Sequence, residues 1–137
     1  MTVVITLNTD GPREPGYVLE VAEGLAESVR VLCTLTRDHA ALEYPSEADR
    51  LIREVSSAVH RLDQLLAQAG GWLEQERREG RIGVTGGPFT GEPGLAAVRA
   101  RLSLDEARAC LTPAVTALEA AASVTSCMEA REDGGDD

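Results

Sequence analysis

Apolar residues return at three- and four-residue steps along most of the chain between residues 15 and 127, while glycine and proline gather mainly at the joints. That period puts them on one side of a helix, so three long amphipathic helices are expected, each with a stripe that needs a partner. The first begins at Pro15, whose fixed φ and missing N–H suit the first turn of a helix. Its stripe runs Val18, Val21, Leu25, Leu32, Leu35 and Leu42, with Ser28 and His39 filling the same line. Tyr44-Pro45 should end it, because a proline pushes the residue before it out of helical geometry.

Ser46 is the expected N-cap of the second helix, with Glu47 and Asp49 in the first turn, where acids meet the positive end of the helix dipole. The short turn makes the first two helices antiparallel. Leu51, Ile52, Val55, Val59, Leu62, Leu65, Leu66, Ala69 and Leu73 continue the stripe across Gly70-Gly71. Each of those glycines costs roughly 0.5–1 kcal/mol relative to alanine, but the apolar phase survives the pair, so the helix should run on to about Glu79. Residues 80–94 hold six glycines and two prolines and read as a long loop. Pro93 can open the third helix, where Leu95, Val98 and Leu102 form a first stripe and Ala107, Leu111, Val115 and Leu118 a second, out of phase with it. Ser103-Leu104-Asp105-Glu106 has the form of a capping box and Pro113 lies further in, so this helix is expected to be broken or kinked.

Ahead of the helices, residues 2–7 read as a strand within an N-terminal segment 1–8, since a β-branched run ends at Asn8-Thr9-Asp10-Gly11-Pro12, residue types that turn a chain. The expected fold is mainly α: an antiparallel three-helix bundle with a short N-terminal strand. It forms one domain over residues 1–128, followed by a disordered acidic tail at 129–137 that has nothing to bury. A lone strand leaves backbone groups unpaired. Its partner would be 81–85 of the same chain or the same segment of a second copy. Val3, Val4, Ile5 and Leu7 offer two apolar faces and so favour a homodimer built on that strand.

Composition narrows this further. A chain of 137 residues with 43% hydrophobic content can hold a core without metal or disulfide, and with only four aromatic residues that core must be leucine, valine and alanine. The net charge is -10, and the tail accounts for less than half of it. An acidic body disfavours nucleic acid and anionic membrane as direct ligands, because affinity for a polyanion comes mostly from neutralised phosphates. All thirteen Lys/Arg positions are arginine, a bias expected of a GC-rich bacterial genome, and lysine-based mechanisms fall away with the absence of lysine. The first apolar run is too short for a signal core and no stretch reaches membrane-spanning length. Cys33, Cys110 and Cys127 are odd in number and far apart, so inert buried thiols in a reducing cytoplasm are expected.

Little chemistry is committed. Asp38-His39 sits near a helix end, where a histidine is explained by the dipole, and His60 falls in line with Arg53, Ser57 and Gln64 on a polar face. No CxxC, HExxH or Glu-x-x-His spacing occurs, so no metal or cofactor is expected, and no catalytic residue can be named. Gly83-Val84-Thr85-Gly86-Gly87-Pro88 lacks the Gly-Lys-Ser/Thr ending and the preceding strand of a phosphate loop. Ile82 and Phe89 in that loop are the candidate contacts for a protein partner. The expectation is therefore a non-enzymatic interaction or accessory protein, capable of self-association. The alternative is an acidic inhibitor that imitates nucleic acid, although Arg77 and Arg78 interrupt Glu74, Glu76 and Glu79.

Overall fold

Each of the three long helices opens on a proline: α1 spans Pro15–Leu35, α2 Pro45–Arg78 and α3 Pro93–Thr125. The computed structural model describes residues 7–9 and 14–131 and is mainly helical, with a short 3-10 turn at His39–Ala41 as the remaining element. Two compact units divide the chain, Met1–Glu43 and Tyr44–Asp137. The expected strand residues Val3, Val4 and Ile5 lie outside the described residues; Leu7 is irregular and 77% exposed. Of the acidic tail, residues 129–131 are irregular and exposed, and the rest lies outside the described residues.

In the first unit, α1 begins without a side-chain cap, Glu14 offering only its carbonyl to Tyr17 and Val18 at 3.1 and 3.3 Å. The Tyr17 hydroxyl accepts from the Asn8 amide at 3.0 Å, which ties residues 7–9 to the helix. The helix ends at Leu35, nine residues short of the Tyr44 stop read from the sequence. Thr36 turns both its N–H and its hydroxyl onto the Leu32 carbonyl, at 3.0 and 2.8 Å, and the Asp38 carboxylate accepts from the Ala40 N–H at 3.0 Å to open the 3-10 turn. Short polar side chains of this kind give the backbone an alternative to helical bonding, and here they outweigh the apolar period that continues to Leu42.

The second unit is a helical hairpin. The N-cap of α2 is Tyr44 rather than Ser46, because Pro45 already occupies the first helical position; the Glu47 carboxylate accepts from the Tyr44 N–H at 3.2 Å. From there α2 runs without interruption through Gly70-Gly71, 34 residues or roughly 50 Å long. Four contacts show that α3 returns antiparallel to it. Asp49 accepts from Thr125 at 2.6 Å and Arg53 donates to the Ala122 carbonyl at 3.4 Å, while Asp63 accepts from Arg108 at 3.0 Å. Gly70 is buried, and a Cβ added to it would stand 3.6 Å from Leu104 Cδ1. Residue numbers rise along α2 as they fall along α3, so the register is continuous over the whole hairpin.

The expected break in the third helix is absent: α3 is one helix of 33 residues with Pro113 inside it. Its phase shift has another cause. Ala97, Leu104, Leu111, Val115, Leu118 and Ala122 form the more buried line, with Ala97 and Ala122 at 8% and 5% exposure, whereas Leu95, Val98 and Leu102 stand about half exposed on another face. Two stripes on one helix look, in sequence, like two helices. Pro113 is exposed, so the carbonyl its ring leaves unpaired can turn to water.

Candidate functional site

The connector between α2 and α3 is hydrogen-bonded at both ends. Gly80, Gly87 and Gly91 take positive φ, where a side chain would be strained, and the turns they allow are closed by Gly91 N–H to the Val84 carbonyl at 2.9 Å and Thr90 Oγ1 to the Gly87 carbonyl at 2.7 Å. Ile82 and Phe89, the residues expected to meet a partner, are here half-buried within the second unit. Residues 81–85 are irregular.

A charged collar surrounds the start of this loop. Arg81 grips both oxygens of Glu76 at 2.7 Å and also pairs with Glu79, while Glu74 is held by Arg77 at 2.7 Å and Arg78 at 3.2 Å. Hydrogen bonds from Arg77, then its charge and those of Arg78, hold the Glu74 carboxyl at about 2, well below the usual carboxylate range. Hydrogen bonding from Arg81 lowers Glu76 in the same direction. The three acids that a nucleic-acid mimic would display are each engaged by arginine.

Between the helices lies a shallow groove of about 740 Å³ lined by Ser57, His60, Gln64, Thr112, Thr116 and Glu119 among others. It is open and mixes these polar groups with Val59, Leu111 and Val115, and His60 has no hydrogen-bond partner among the described residues, so it is linked to no nucleophile there. Asp38 and His39 make no hydrogen bond or ion pair with each other; Asp38 Oδ1 accepts from the Ala40 N–H. Among the described residues, no three His, Cys, Asp or Glu side chains gather where they could hold a metal ion. Cys33, Cys110 and Cys127 are free thiols and all three are exposed, which corrects the expectation that they are buried. Cys110 falls beside the packed line of α3 rather than on it.

What the sequence reading missed is the amount of apolar surface left uncovered. On α1, Val18, Leu19, Leu25, Val29, Leu32 and Leu35 are between 41% and 62% exposed, and no residue of this helix is buried. Its charges, Glu20, Glu23, Glu27 and Arg30, fall within roughly 80° of arc at about 100° per residue, so the apolar side is far wider than the polar one. On the hairpin, Leu65 and Trp72 of α2 and Leu95, Val98 and Leu102 of α3 are between 50% and 62% exposed. A signal was present in α3, where the low contrast between its sides shows as two apolar stripes instead of one. No helix among the described residues is long and apolar enough to cross a membrane. No family model, curated protein or solved structure matches this chain.

Proposed function

We propose that this chain is a non-enzymatic helical interaction protein, acting in the cytoplasm as an accessory to a protein partner and associating with itself. The observation that carries this reading is α1: a 21-residue helix whose large aliphatic side chains are half exposed and whose charges occupy one narrow arc. Apolar surface of that extent on a helix marks a contact yet to be made. The width of the apolar arc leaves α1 able to meet a protein partner. Acid mimicry of nucleic acid is the weaker reading, because Glu74, Glu76 and Glu79 are each bound to arginine.

The test uses the full chain as bait in its source cell, with wild type compared against L25D/L32D and against reversal of Glu74, Glu76 and Glu79 to arginine. Loss of the captured protein with L25D/L32D is expected, with circular dichroism showing the hairpin still helical. Loss only with the acidic triple variant would instead support the inhibitor reading.

A further inference from the structure

One face of α3 is exposed along its length, and its pattern is nearly the same read in either direction. Leu95, Val98, Leu102, Pro113, Ala120 and Val124 recur along one line with Ala109 at its middle, and the large ones are between 50% and 60% exposed. At about 100° per residue, Leu95 and Leu102 lie roughly 140–160° around the helix from Ala97, which packs on the α2 side. Glu106 is the one charged residue on that line.

We infer that this face is an isologous interface: α3 of a second copy packs against it antiparallel, about a two-fold axis near Ala109 and Cys110. The inference rests on the reading of this protein as self-associating and names the surface. Reversal about that axis sets Leu95 against Val124, Val98 against Ala120 and Leu102 against Thr116, so each large aliphatic meets a smaller residue and the helices can approach closely. Charge complementarity selects a second copy as the occupant. Arg101 and Glu119 lie on the same flank of the stripe, are both exposed, and have no ion-pair partner among the described residues. In the antiparallel pair each Arg101 faces the other copy's Glu119, and symmetry makes the contact twice. In a parallel pair the two-fold runs along the helices and puts the flanks of the two copies on opposite sides of the seam, so Arg101 and Glu119 do not meet. The stripe is about 44 Å long at 1.5 Å per residue, a seam comparable to that of stable helical dimers.

Sedimentation velocity of the full chain under reducing conditions tests this, with R101E, E119R and the double variant R101E/E119R beside wild type. Wild type should be dimeric at micromolar concentration, each single variant should weaken the dimer by about tenfold, and the double variant should restore it. L102D should shift the protein to monomer with its helicity unchanged. In a C33S/C127S background, a short bis-maleimide should link two copies through Cys110, which lies close to the axis. A wild type that stays monomeric at micromolar concentration, a dimer indifferent to L102D, or a double variant no better than the singles overturns the interface. A monomer that still captures its partner through α1 overturns only this inference and leaves the interaction-protein reading standing.

Discussion

Replacing Gly71 with alanine should stabilise the protein, and Gly70→Ala should do so at least as well. Both glycines lie inside α2, where each leaves the unfolded chain more freedom than alanine would; removing that freedom is worth about 0.5–1 kcal/mol at a helical position. What separates the two is space. A Cβ on Gly71 meets nothing within 4 Å, so its gain is conformational alone. A Cβ on Gly70 would stand 3.6 Å from Leu104 Cδ1, ordinary van der Waals contact, and so adds buried apolar surface without a clash. For a unit the size of this hairpin, 0.5–1 kcal/mol corresponds to a rise in Tm of roughly 2–8 °C. Thermal unfolding followed by circular dichroism at 222 nm, with urea titration for the free energy, measures both. A Gly70→Ala variant less stable than wild type would mean that α3 crosses closer than the 3.6 Å contact allows, and no gain from Gly71→Ala would mean that α2 is not helical across the pair.

Pro113→Ala should raise Tm, since a proline inside a helix costs up to about 3 kcal/mol and this one is exposed within a continuous α3; an unchanged or lower Tm would show that the helix bends there for a packing reason. The Glu74 carboxyl is held at about 2, below the ordinary value, so its pairing with Arg77 and Arg78 stabilises the fold fully above pH 4.5 and is lost as pH falls from there towards 2. Carbon-detected NMR of the carboxyl should follow that low titration, and Arg77→Gln should move it back up; a Glu74 that titrates near 4.5 in the wild type would contradict the collar.

Much of the secondary structure is legible in the order of residues, because helix formation depends on local chemistry. Pro15 and Pro93 mark the starts of α1 and α3, the glycine-rich run 80–94 marks the connector, and the persistence of apolar phase across Gly70-Gly71 marks α2 as continuous. The errors are local competitions that a period of 3.6 does not register: Thr36 and Asp38 end α1 early by bonding to nearby backbone, and Pro45 takes the position that moves the cap from Ser46 to Tyr44. Only tertiary structure decides which of several stripes is used. The residues Ala97, Leu104 and Ala122 pack while Leu95, Val98 and Leu102 do not, although both sets satisfy the same period, and the Asp63–Arg108 and Asp49–Thr125 contacts go with that rotation of α3 against α2. The candidate surfaces follow from that rotation. Periodicity says that an apolar face exists; which face is left over depends on packing between residues far apart in the chain.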